Sequence, residues 1–266
     1  MKASISAILI TKNEALDLPE CLRSLKPLSS EIVVVDGGSS DETVRLARDS
    51  GARVHAVEFK DYASQKQAAL DLASGDWALS IDADERVSPG LAKEILSVLE
   101  ADGPADGYEI PFEVEFLGRV LRFGGLGRER HLRLFRRKAG SFIGGKLHEG
   151  VELNGTLGRL SGRMRHIPYR DLDEYLEKLG RYTTWAAQKR WEAGRRASAA
   201  DCFLRPLWEL FLRLVLRLGI LDGTPGAAWA VLSSFHTWLK YVKLMEIGRA
   251  RLLPASASVL QEETRP

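Results

Sequence analysis

The sequence predicts an α/β fold: a Rossmann-like, mainly parallel sheet with helices on both faces. Three observations predict it. Continuous β-branched and apolar runs recur through the first hundred residues, at ISAILIT (5–11), EIVVVDG (31–37), RVHAVEF (53–59) and WALSID (77–82), as strands covered on both faces do. A helical segment stands between each run and the next, a rotation that calls for right-handed crossovers and parallel strands. Polar and acidic residues collect just past the ends of runs one, two and four, where sheets of this kind bind their ligands.

Each element follows in order. The first run ends in Thr11-Lys12-Asn13-Glu14 and leads into a helix over 15–26. The second ends in Asp36-Gly37-Gly38-Ser39-Ser40-Asp41; its helix, 41–50, stops at Gly51, and the next, 62–73, stops before Gly75, each glycine serving as a C-terminal brake. The fourth run enters Asp82-Ala83-Asp84-Glu85, after which Ser88 as N-cap and Pro89 in the first turn open another helix. Beyond residue 106 the rhythm changes to alternating segments, YEIPFEVEF and HLRLFRR, joined by glycine-rich connections, which reads as hairpins or mixed strands. A long helix is expected over 171–194. From Phe203 to Leu218 the chain places Arg205, Glu209, Arg213 and Arg217 four apart on an otherwise apolar helix, and 226–247 groups Trp238, Lys240, Tyr241 and Lys243. Such amphipathic C-terminal helices fit a membrane interface; a core helix or a seam between copies in a homo-oligomer is the alternative. The expected domains are 1–200, with a nucleotide half to about 105 and an acceptor half from 106, then a helical extension over 201–250 and a flexible tail over 251–266.

The chain is 266 residues long with 45% hydrophobic content, enough for a real core, which excludes a disordered chain. Its net charge of +2 conceals a division: residues 1–118 hold 11 Lys and Arg against 22 Asp and Glu, and residues 119–218 hold 22 against 10. A basic second part suits an anionic partner. Cys21 and Cys202 show no zinc spacing and read as reduced thiols. The N-terminus lacks a signal-peptide pattern, and no run of eighteen apolar residues suggests a spanning helix.

Asp82 and Asp84 are spaced so that extended backbone would point both to one side. Two carboxylates there can hold Mg²⁺ or Mn²⁺ against substrate phosphates; an acidic turn capping the next helix is the other reading. Asp36 ends a strand so apolar that its carboxylate belongs at the lip, bonding a base or ribose, capping the next helix, or both. The first turn, ITKNEAL, has no glycine, which excludes the usual dinucleotide fingerprint and a phosphate-binding P-loop. Stacking aromatics are not interleaved with the arginines, which argues against nucleic acid.

Together ILITKNEA, IVVVDGGSSDET, QKQAALDLASGDWALSIDADE, KLHEG and RHIPYRDLDEYLEKLGRYT resemble glycosyltransferase family 2, and within it the lipopolysaccharide core β-glucosyltransferases of Gram-negative bacteria. The resemblance runs to about Ile247. It implies a GT-A fold, a UDP-sugar donor, a divalent metal, and an inverting transfer of a hexose, glucose foremost, to a lipopolysaccharide inner core, performed on the cytoplasmic side of the inner membrane by a peripheral protein. Thr11, Asn13, Glu14, Asp36, Lys66 and Asp82 would then hold the nucleotide-sugar, and Asp84 with His166 the metal. Related sequences read Q-K-N where this chain has Gln65-Lys66-Gln67. Inversion needs a carboxylate opposite the leaving group, distinct from the metal ligands. Glu129, Glu149 and Glu152 are the candidates, and Glu149 is the choice because it sits in KLHEG after Gly144-Gly145. His148, Arg130 and Arg133 are expected at the acceptor, where arginine suits phosphorylated sugar. The rival readings are another lipid-linked or capsular glycan as acceptor, and a non-catalytic nucleotide-sugar-binding protein at the membrane.

Overall fold

A computed structural model describes residues 3–101, 103–127, 129–144 and 149–252; of Glu149 and of 250–252 only the backbone course is described. The chain divides into two compact units, Met1–Val120 with Leu126–Pro168, and Leu121–Gly125 with Tyr169 onward.

The first unit opens with β1 (Ile5–Thr11), α1 (Leu18–Leu25), β2 (Glu31–Asp36), α2 (Thr43–Asp49), β3 (Arg53–Ala56), α3 (Tyr62–Leu72) and β4 (Trp77–Ser80). Strands β3, β2, β1 and β4 lie side by side in that order, all parallel. Alternation along β1 separates two cores. Ile5, Ala7 and Leu9 face Leu18, Leu22 and Leu25 of α1 and the helix α4 (Pro89–Glu100), while Ile8 faces Ala69 and Leu70 of α3 on the opposite side. Helices therefore cover both faces, as the continuous apolar runs require.

The remaining strands of this unit are β5 (Glu85–Val87), β6 (Gly107–Phe116), β7 (Arg119–Leu121), β8 (Arg130–Arg136), β9 (Gly140–Gly144), β10 (Glu149–Leu153), β11 (Leu157–Arg159) and β12 (Met164–His166). The sheet continues from β4 through β8, β6 and β12 to β5, with β8 antiparallel to β4. β9 and β10 form a separate antiparallel ribbon. This mixed half is where the segments beyond residue 106 depart from simple rotation. Cys21 and Cys202 are both buried free thiols.

In the second unit α5 (Leu172–Glu192), α6 (Ala199–Phe211) and α7 (Gly223–Leu252) pack together. Asp171 caps α5 by accepting from the Glu174 N–H at 2.8 Å, and Ser198 and Asp201 form a reciprocal capping box at the start of α6. Asp222, buried, accepts from the Arg122 and Phe123 N–H groups at 3.0 and 2.9 Å and so fastens the 121–125 segment into this unit. Among the described residues, no helix is long and apolar enough to cross a membrane.

Candidate active site

Past Ser80 the chain does not stay extended. The Glu85 N–H donates to the Asp82 carbonyl at 3.0 Å, and the Asp82 N–H donates to the Glu85 carboxylate at 2.9 Å, closing a tight turn. The expectation of two aspartates side by side on extended backbone is therefore corrected: the turn sends them to different partners. Asp82 meets Lys66 Nζ at 2.9 Å and an Arg133 guanidinium nitrogen at 2.9 Å. Asp84 lies 3.4 Å from His166 Nε2.

Strand pairing explains the second contact. β12 runs antiparallel to β5 with His166 opposite Glu85, and the Ile167 N–H donates to the Asp84 carbonyl at 3.0 Å. Residues eighty apart in sequence are thereby brought level. Arg133 arrives in the same way, because β8 antiparallel to β4 pairs Leu134 with Leu79, carrying the preceding residue to the end of β4. Its guanidinium also donates to Glu85 at 2.5 Å. Beneath the turn the buried Arg86 donates to the Ala83 and Glu85 carbonyls and pairs with Asp17.

The charges follow from these contacts. Burial opposes ionisation of Asp82, yet the Lys66 and Arg133 cations outweigh it and hold the carboxyl far below its usual range. For Glu85 burial dominates; Asp82 and Asp84 add to it, and the acid is pushed up to about 7 although Arg133 touches it. Burial disfavours the charged His166 ring, but the bond to Asp84 and the charges of Asp84, Glu85 and Asp82 raise its pKa. Arg133 is locked in the charged state, burial being overcome by Glu85 and Asp82.

The Phe112 ring of β6 backs this cluster. The His131 and His166 rings stand nearly perpendicular to it at 5.0 and 5.9 Å, and the Arg133 guanidinium lies 5.4 Å from its centre. His131 Nε2 is 2.9 Å from Glu129, and this contact, against burial, holds Glu129 below its ordinary value.

The other expected residues form a second group at the ends of β1 and β2. Thr11 donates to Asp36 at 3.1 Å, and Asp36, buried, also accepts from the Gly38 N–H, the Ser39 N–H and the Ser39 hydroxyl. Asn13 has φ of 59°; its N–H donates to the Ser39 hydroxyl at 2.9 Å and its side-chain oxygen accepts from the Ser40 N–H at 2.8 Å. The Glu14 N–H donates to the Thr43 hydroxyl at 2.8 Å. Both groups sit at carboxyl ends of the adjacent strands β2, β1 and β4.

Arg130 stands apart from both, donating to the Leu160 carbonyl at 3.0 Å, while Arg133, expected at the acceptor, turns into the acid cluster. His148 lies outside the described residues, and of Glu149 only the strand position is described, opposite Gly144 in the ribbon of β9 and β10. Gln67 ties α3 to that ribbon by accepting from the Phe142 N–H at 2.9 Å. Sequence reasoning counted Glu85 with Asp82 and Asp84 as carboxylates that call for a cation, but gave Arg86 no role. Its signal was its place directly after Asp84-Glu85, where its guanidinium holds the turn by donating to the Ala83 and Glu85 carbonyls.

Asp84, Glu85 and His166 offer ligand atoms that all lie within 4.8 Å of one another. Two carboxylates and an imidazole suit a small divalent cation; of the three, Asp84 and His166 are half-buried, whereas Glu85 is buried and bonded to Arg133.

The family model of glycosyl transferase family 2 matches residues 6–148. A lipopolysaccharide core biosynthesis glycosyltransferase, LpsC, of Rhizobium meliloti is 31% identical over 92% of this chain and 93% of its own. An uncharacterized glycosyltransferase of Rickettsia typhi is 27% identical over 92% of this chain and 87% of its own. Among solved structures, glucosyl-3-phosphoglycerate synthase from Mycobacterium tuberculosis in complex with phosphoglyceric acid aligns with a TM-score of 0.47 at 21% identity, over 65% of this chain and 75% of that one. TarS of S. aureus aligns with the same TM-score at 14% identity, over 90% and 91%. With the family model matching more than half of the chain and LpsC spanning nearly all of it, this α/β protein is a glycosyltransferase of GT-A fold and belongs to glycosyltransferase family 2.

Proposed function

We propose that the protein is an inverting, divalent-metal-dependent hexosyltransferase that moves a sugar, glucose foremost, from UDP to a lipopolysaccharide inner-core saccharide at the cytoplasmic face of the inner membrane. The observation that carries the reading is the cluster of Asp84, Glu85 and His166 at the end of β4. Asp84 and His166 would hold Mg²⁺ or Mn²⁺, with Glu85 beside them; the ion supplies positive charge against the diphosphate of the leaving nucleotide. Lys66 and Arg133 keep Asp82 ionised and fixed, available to a sugar or ribose hydroxyl. Thr11, Asn13, Glu14 and Asp36 form the wall on which the nucleoside rests. Glu149 takes the proton of the attacking acceptor hydroxyl, while His148 and Arg130 orient the acceptor. The name of the Rhizobium relative supports the choice of acceptor.

The test is binding and turnover measured side by side. Calorimetry should show UDP binding that requires Mn²⁺ or Mg²⁺ in the parent protein, and that cation-supported binding should be lost in Asp84→Ala. Release of UDP from a panel of UDP-sugars, with deacylated lipopolysaccharide core as acceptor, should fall at least about 100-fold in the same variant, since even outer-shell changes at metal sites cost 10- to 100-fold. Undiminished transfer by Asp84→Ala in the presence of chelator would overturn the reading. Glu149→Gln should lower kcat by about 100-fold or more with donor affinity retained; an unchanged kcat would assign the proton transfer to another carboxylate.

A further inference from the structure

Helix α6 is apolar on two opposite sides. Cys202 and Pro206 are buried on one of them, where Ser234 of α7 donates to the Pro206 carbonyl at 2.8 Å. Phe203, Leu204, Leu207, Trp208 and Phe211 occupy the other, an arc of about 140° at 100° per residue, and they are between 46% and 67% exposed. The outward side of a surface helix is ordinarily polar, and a contiguous apolar patch of this kind marks a contact surface. It does not end with the helix. After a wide helical turn over Leu212–Leu216, Leu218 adopts φ of 56° and the corner presents Ile220 and Leu221, both more than half exposed. On α7, Phe235 and Trp238 stack at 5.5 Å on a further exposed stripe.

Charge decides what covers this ridge. No acidic residue lies within the arc of α6; Asp201 borders its Trp208 edge and is neutralised by the exposed Arg205 just beyond it, and the exposed Arg217 follows the helix. Arg205 pairs with Asp201, whereas Arg217 has no carboxylate partner among the described residues. From Ala199 to Leu252 the sequence carries seven Lys and Arg against four Asp and Glu. In a two-fold dimer the same patch would face itself, bringing these cations against their own counterparts. An anionic bilayer covers the apolar side chains and meets the cations with opposite charge, the arginine stems reaching outward to the headgroups. No described helix is long and apolar enough to cross a membrane, so a bilayer contact here would be an interfacial one.

We propose that the outer side of α6 and the Ile220-Leu221 corner form a docking surface for an anionic phospholipid bilayer. It bears on where a lipid-linked acceptor is met, yet its test makes no use of the reaction.

The full-length protein is floated with vesicles of phosphatidylglycerol and phosphatidylethanolamine, and separately with phosphatidylcholine vesicles, at low and high salt. It should float with the anionic vesicles at low salt and remain behind with phosphatidylcholine. Leu207→Glu with Trp208→Glu should lower the bound fraction about tenfold, and Ile220→Asp with Leu221→Asp, a separate pair, should do the same. Circular dichroism and cation-dependent UDP binding report folding of each pair independently, so one well-folded pair suffices. A parent protein that stays with the free fraction in every gradient overturns the proposal, as does flotation that both folded variants retain. A stable dimer dispersed by either pair, with no flotation of the parent, overturns it in favour of self-association.

Discussion

Arg133 is the residue on which the acid cluster turns. One guanidinium nitrogen serves both Asp82 and Glu85, so its removal leaves the buried Glu85 and the half-buried Asp82 facing one another with Lys66 on one side only. Breaking a buried pair from one partner costs about 3 kcal/mol or more. Arg133→Met should therefore lower the unfolding free energy by about that amount in urea titration, and Arg133→Lys should recover only part, because the ammonium keeps the charge without the pre-organised guanidinium geometry. Glu31 makes a comparable statement in pH. Burial opposes its charge, but the Ser6 hydroxyl, the Ser74 N–H and hydroxyl, and Arg53 all donate to it, and its pKa is lowered to about 2. The folded value lies below the unfolded one, so the contribution is complete above about pH 4.5 and fades as pH falls toward 2. Parent and Glu31→Gln proteins should differ by about 3 kcal/mol at pH 7, with the gap closing in unfolding curves taken at pH 3 and below.

Elements that alternate were legible and elements that pair over long range were not. The runs at 5–11, 31–37, 53–59 and 77–82 became β1 to β4 because a strand covered on both faces needs no partner pattern to be recognised. Their acidic ends were legible for the same reason. By contrast β5 and β12 are three residues each, too short for any period to show, and their pairing alone sets His166 opposite Glu85. The partners of Arg133 were not legible, because its position in an alternating Arg-Leu strand says which face it shares, not which strand lies beside it. At the helix level, His236 on α7 is pushed down to about 4 by burial, with Lys240, Arg213 and Lys243 adding repulsion and Glu209 opposing it. The folded value lies below the unfolded one near 6.5, so stability should be full above that pH and decline as pH falls toward 4. The loss should be on the order of 2 kcal/mol and absent from His236→Gln, as read from thermal unfolding between pH 7.5 and 5.

Across the whole molecule the family pattern ends at residue 148 while the Rhizobium relative continues through 92% of the chain. What the family shares at large lies in the first unit, and the helices from Tyr169 onward belong to a narrower set of relatives. One small feature governs how the first unit greets a ligand. Asn13, in a left-handed conformation that few side chains tolerate, is laced to Ser39 and Ser40 of the neighbouring loop. The loops that follow β1 and β2 are thereby riveted together, so a nucleotide bound there as proposed would meet furniture already in place and surrender little of its affinity to arranging it.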